Sequence, residues 1–145
     1  MWLDNKSYSS GSNKAKVLRS KVLKELYRVL TPGGLLIVSD FCAEHDLTKY
    51  MVNYRRHALI TGEQGTIAVF DPSKNISFKG LSDDEVAQLK DSPDLIRFAH
   101  HYTPKELIDL LKDARFKVLK YSVEIGSTPS GNPIENIIVV AKKEE

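Results

Sequence analysis

The stretch ELYRVLTPGGLLIVSDF, residues 25–41, decides the fold. Leu26 and Val29 close a helical apolar stripe that begins with Leu18 and Val22, at steps of four, four and three. Pro32 stops that helix, because it lacks an N–H and disfavours helical geometry at Thr31. Gly33-Gly34 supplies the positive φ that a sharp reversal needs. Leu35–Val38 then shows no polar alternation, which predicts a short strand covered on both faces of a sheet. The stretch therefore reads as helix, tight turn and buried strand. Ser39, Asp40, Phe41 and Cys42 fall at the carboxyl end of that strand, where open α/β sheets bind ligands.

Composition narrows the classes. A chain of 145 residues holds one domain with a core. An apolar fraction of 41% and a charged fraction of 28% are those of an ordinary globular protein. The net charge of +2 lacks the basic signature of nucleic-acid or anionic-membrane binding. The lysines and Arg19 on the first helix read as a solvated face, which leaves RNA binding a weak third option. One cysteine, Cys42, excludes an internal disulfide and suits a reducing cytoplasm; the side chain itself reads as a small buried group rather than a nucleophile. No apolar run is long enough to span a bilayer.

Outward from the opening stretch, residues 1–13 read as a flexible arm, with Ser12 or Asn13 capping the helix to Leu30. Residues 14–145 read as a single domain carrying a variable insert at about 43–101. Within it, Asp46 caps a helix to about Ile60. TIAVF, residues 66–70, reads either as a short strand or as an irregular apolar segment. Ser82 and Glu85 form a capping box, as do Thr103 and Glu106, the second with Pro104 at the first helical position. KVLKYSVEI (117–125) and NIIVVAKK (136–143), separated by GSTPSGNP, form an antiparallel hairpin.

Glu25, Arg28, Val29, Leu30, Pro32, Gly33 and Gly34 match a helix-end pattern E-x-x-R-V-L-K-P-G-G, with Thr31 for the lysine. Tyr102, Thr103, Glu106, Leu107, Leu110, Leu111, Ala114 and Phe116 match Y-T-x-x-E-L-x-x-L-L-x-x-A-G-F, with Arg115 where glycine is usual. In this order, followed by a hairpin, the two blocks resemble the C-terminal half of class I S-adenosylmethionine (SAM)-dependent methyltransferases, of the type 11-like small-molecule group. The resemblance implies an α/β fold: a partial Rossmann-like sheet of one parallel-type strand plus the C-terminal antiparallel hairpin, with flanking helices. It implies SAM as cofactor and in-line methyl transfer, which works largely by positioning and exclusion of water. It also implies that the chain carries the acceptor side of the site. Asp40, Phe41, His45, Tyr54, His100 and His101 lie in segments that shape the acceptor pocket in this family. For each a plainer role stands beside it: local turn hydrogen bonds for Asp40, an exposed loop for His100-His101-Tyr102, solvent-facing arginines in Tyr54-Arg55-Arg56-His57. No catalytic residue is singled out, and no HxxxH or HExxH spacing suggests a metal.

The eight glycines include no GxGxxG or GxGxG, and Gly62-Glu63-Gln64-Gly65 follows no convincing strand. The chain is thus expected to lack the SAM-binding half, to be inactive alone, and to leave the edge of strand 35–40 open. Such an edge invites self-association, a partner chain or the N-terminal arm. The alternative to part of an enzyme is a non-catalytic methyltransferase-like binding or assembly module.

Overall fold

The computed structural model describes residues 2–3, 12–43, 53–127, 129, 131 and 133–144; His45 and Asp46 lie outside them. The elements are β1 (Trp2–Leu3), α1 (Ser12–Val29), β2 (Leu35–Phe41), α2 (Tyr54–Thr61), β3 (Thr66–Phe70), α3 (Asp83–Gln88), β4 (Leu95–His100), α4 (Pro104–Asp113), β5 (Lys117–Ser127) and β6 (Pro133–Lys142). They form two compact units, one of Met1–Ala15 and Lys49–His101, the other of Lys16–Thr48 and Tyr102–Glu145. The stretch read as a variable insert falls largely in the first.

The second unit carries the two sequence blocks. Its sheet has the order β2-β6-β5, with β6 antiparallel to both neighbours. The turn at residues 31–34 is built as its residues require. Gly33 has φ +82°, and a Cβ on Gly34 would lie 2.8 Å from the Thr31 carbonyl oxygen. The end of β6 clamps this turn: Lys143 N–H donates to Gly34 O at 3.0 Å. Lys143 Nζ donates to the carbonyls of Tyr27 and Leu30 at 2.8 and 2.9 Å, placing a cation on the free carbonyls of the α1 C-terminus.

Cross-strand pairing divides this sheet into unlike faces. Leu36 and Val38 pair with buried Ala141 and Val139, while Leu35 and Ile37 pair with Lys142 and Val140. α4 packs on β5 and β6, and Leu107, Leu111, Ala114 and Phe116 are buried there. β2 was expected to be covered on both faces; instead Leu35 and Ile37 are 57% and 67% exposed. The uniform apolar run reports what the strand could bury, not what buries it. Among the described residues β2 has one strand neighbour, β6; its other edge is unpaired by a strand along Leu35–Ser39 and meets Tyr102 only at its carboxyl end, by a bridge at Cys42.

α1 corrects the expected face. Its buried line is Ala15, Arg19 and Leu23, while Val22 and Val29 are exposed. One residue on a helix turns the stripe by about 100°, which is enough to trade Leu18–Val22 for Arg19–Leu23. Arg19, read as solvated, is 1% exposed and lines a depression with Glu106, Asp109 and Asp113. A buried guanidinium needs such acidic company.

α4 starts at Thr103, whose side chain accepts from Glu106 N–H. It ends in a Schellman closure, with Arg115 N–H donating to Lys112 O at 2.9 Å and Phe116 N–H to Leu111 O at 3.0 Å. Arg115 takes glycine's left-handed conformation at φ +75°. Arg115→Gly is expected to raise stability by about 0.5–1 kcal/mol, the relief of that strain less glycine's extra unfolded-state entropy. Urea melting of the two proteins checks it; an unchanged or lower midpoint would mean that the arginine carries no strain.

The first unit has the sheet order β1-β4-β3, both pairings antiparallel. Trp2–Leu3, expected in a flexible arm, pairs with Phe98–Ala99. Thr66–Phe70 is a strand, settling the two readings of TIAVF. Its partner β4 was not anticipated, because LIRFAH carries Arg97 at its centre and buries residues without alternation. α2 begins at Tyr54, with Asn53 extended and accepting from Arg56 N–H, so the helix expected from Asp46 to Ile60 is not continuous through residue 53. Ser82 and Glu85 complete the expected capping box of α3. The core joins Ala15, Ile60, Ala68, Val86, Leu95 and Phe98, with Phe70, Phe78, Leu81 and Leu89 at its margin.

Candidate functional site

β3–β4 pairing and the start of α2 bring buried polar groups together in the first unit. Thr66 pairs directly with His100 across the strands. The Thr66 hydroxyl donates to Glu63 Oε2 at 2.9 Å and lies 2.6 Å from His100 Nδ1. A hydroxyl has one proton, so giving it to Glu63 leaves Nδ1 of His100 as the donor to Thr66. Glu63 Oε1 lies 3.8 Å from the same nitrogen. Thr61 Oγ1 lies 3.1 Å from the carbonyl oxygens of both Glu63 and Thr66, and its single proton serves one of them at a time. Gly65 (φ +88°) closes the α2–β3 turn so tightly that a Cβ would lie 3.0 Å from His101 O. His101 N–H donates to Gly65 O at 2.8 Å.

The neighbouring histidine has its own partner. Tyr54 Oη and His101 Nδ1 share a hydrogen bond of 2.8 Å, and the two rings meet edge to face at 5.6 Å. Burial, then the nearby positive potential of His100 and His57, lowers the His101 pKa to about 4. At neutral pH it is an uncharged imidazole held by a phenol. A histidine oriented through a hydroxyl by a carboxylate, beside a second held by a tyrosine, is able to hold or move protons in fixed tautomers. The same bonds also satisfy the buried polar atoms of the turn.

Of the expected acceptor-side residues, Tyr54, His100 and His101 therefore sit together, although the helix containing Tyr54 and the strand ending at His100 are remote in sequence. His100 and His101 are buried, at 1% and 4% exposure, which corrects the exposed-loop reading of the HHY run. Asp40 and Phe41 end β2 in the other unit. Asp40 Oδ1 accepts from Phe41 N–H at 2.8 Å, the local bond foreseen as its plainer role. Tyr102 N–H donates to Phe41 O at 2.9 Å, and Ala43 N–H to Tyr102 O at 2.8 Å, beside buried Cys42. His45 lies outside the described residues. The paired arginines are structural: Arg55 Nη1 reaches Asp83 at 3.1 Å, and Arg56 donates to the carbonyls of Phe78 and Leu81. Glu63 and Thr66 were missed. Reading LIRFAH as a strand would have set Thr66 opposite His100.

The sheet of one methyltransferase-type strand closed by an antiparallel hairpin, with α1 and α4, defines a Rossmann-like methyltransferase fold. A solved SAM-dependent methyltransferase from Methanosarcina mazei matches 94% of this chain with a TM-score of 0.67 and 28% identity. This chain spans 54% of that protein's length, about half. No protein-family model matches the chain, and no curated protein does. Among the described residues no helix is long and apolar enough to cross a membrane.

The glycine pair Gly62 and Gly65 does not form a SAM loop. Gly62 caps α2 in a left-handed conformation and Gly65 precedes β3, so this pair lies between helix and strand rather than between strand and helix. The close approach at Gly65 is filled by the chain's own His101 carbonyl.

Proposed function

We propose that this chain is the C-terminal portion of a SAM-dependent methyltransferase and contributes the acceptor side of its site in a reducing cytoplasm. The observation that carries the reading is the β2-β6-β5 order with β6 antiparallel. The match to about half of the Methanosarcina protein supports it. The cofactor-holding residues then come from another polypeptide, or from a portion of the natural protein outside this sequence. The open edge of β2, beside exposed Leu35 and Ile37, favours a partner strand or a second copy seated there. This chain's residues would hold and orient a small-molecule acceptor and keep water from it.

Calorimetric titration of the chain with SAM tests the division of labour. The expected result is no saturable heat at micromolar cofactor. A micromolar dissociation constant would overturn the reading that the cofactor half lies elsewhere. The absent glycine-rich loop also favours a second reading, a non-catalytic binding module. The upstream nucleotide sequence separates the two: a glycine-rich strand–loop–helix, in frame or in an adjacent frame, marks the enzyme, and its absence marks the module.

A further inference from the structure

The first unit contains a cleft of about 580 Å³ that the groups described above do not occupy. α2, β3 and residues 71–79 enclose it, with His57, Ile67, Phe70, Asp71, Asn75 and Phe78 among its lining residues. That volume lies within the range of about 300–1,000 Å³ typical of small-molecule sites.

Its walls are built rather than left over. The His57 ring lies 4.7 Å from that of Phe78, and Phe70 meets Phe78 edge to face at 6.4 Å. Arg56 pins this wall, donating to Phe78 O at 2.7 Å with its guanidinium carbon 6.0 Å from the ring. Asn75 turns the segment with a left-handed backbone, φ +50°.

The polar groups are few and set. Ala68 N–H donates to His57 Nδ1 at 3.0 Å, so Nδ1 is the acceptor nitrogen and the ring's proton resides on Nε2. Burial lowers the His57 pKa to about 4, so the ring is neutral at physiological pH. The carboxylate oxygen Oδ1 of Asp71 is turned back on its own loop, accepting from Ser73 N–H at 3.0 Å and from Ser73 Oγ at 2.8 Å. The cleft thus offers aromatic faces, an aliphatic strand and the His57 imidazole, and its charged lining residues are Asp71 and exposed Lys79.

We infer that this cleft binds a planar, uncharged aromatic small molecule whose oxygen or ring-nitrogen acceptor meets His57 Nε2–H, and that such a molecule is the methyl acceptor. The second clause rests on the methyltransferase reading; the first does not. Aromatic faces at these separations favour flat π systems. An anionic ligand would lose its hydration beside the Asp71 carboxylate, with only solvent-screened Lys79 to pair with it.

The test uses 2-naphthol and naphthalene-2-sulfonate as probes, with the chain alone and no SAM, so failure of the methyltransferase reading leaves it intact. Binding is followed by the amide signals of Ala68–Phe70 and the imidazole signals of His57. The expected result is saturable 2-naphthol binding with a dissociation constant on the order of 10–1,000 μM, appropriate to so small a ligand. Naphthalene-2-sulfonate, the same bicycle with a full charge, should bind about tenfold more weakly or worse. Ser77→Trp, at an exposed lining position, should fill the cleft and weaken 2-naphthol about tenfold or more while the other amide signals hold the fold. Phe78→Ala should weaken it similarly by removing a wall. No saturable shift at Ala68–Phe70 up to millimolar probe, equal affinity in a folded Ser77→Trp protein, or equal affinity for the sulfonate would each overturn the proposal.

Discussion

Lowering the pH from 7 to 5 should weaken the first unit by roughly 3–4 kcal/mol, about 2 kcal/mol for each of His57 and His101. Both have folded pKa values of about 4, against 6.5 for an ordinary histidine. A depressed histidine pKa means that the unfolded chain takes up protons first. The stabilisation is complete above pH 6.5, declines as the pH falls, and levels off below 4. The second unit contains no histidine among its described residues and should be indifferent over this interval. Amide exchange reads the difference: protection factors in β3 and β4 should drop between pH 7 and pH 5 while those in β5 and β6 hold. Imidazole nitrogen shifts that titrate near 6.5, with β3 and β4 protection unchanged, would show that these rings are not buried as described.

Leu111→Ala should cost about 2–5 kcal/mol, the range for a fully enclosed leucine whose surroundings relax only in part. Leu111 has no exposed surface, and it lies on the turn of α4 that accepts the Schellman bond from Phe116. Leu111→Met keeps the volume and should cost less than about 1.5 kcal/mol. Urea melts of the three proteins make the comparison. A loss below about 1 kcal/mol in the alanine protein would mean that α4 is not seated on the hairpin, since such a cavity cannot form without a packed wall.

What was legible in the sequence was local. Pro32 and Gly33-Gly34 dictate the reversal into β2 whatever surrounds them, and Thr103-Pro104-Lys105-Glu106 dictates where α4 begins. Arg115 was visible as a departure, and the chain accepts the strain at that position. The hairpin was readable because GSTPSGNP, rich in turn residues, separates two strand-like runs; that β6 buries Glu135, Ile137, Val139 and Ala141 in alternation emerges only on folding. The unread parts depend on partners distant along the chain. LIRFAH becomes a strand through pairing on both sides, with β1 and with β3. The Thr66–His100 contact follows from that register alone, and no spacing within either segment announces it. Arg19 was assigned to solvent by residue type, whereas it is buried beside a depression shared with acidic side chains of α4. For the candidate site, Tyr54, His100 and His101 were picked by position in a resemblance. The bond between Tyr54 and His101 is a product of folding that composition does not encode.

A partner seated on exposed Leu35 and Ile37 would tie folding to abundance. Any chain that covers Leu35 and Ile37 binds the folded form and not the unfolded one, so it shifts the balance by mass action. Cover present at a hundred times its dissociation constant adds about 2.7 kcal/mol. With such a partner bound, dilution would remove that support, and the melting temperature would depend on the solution as much as on the molecule.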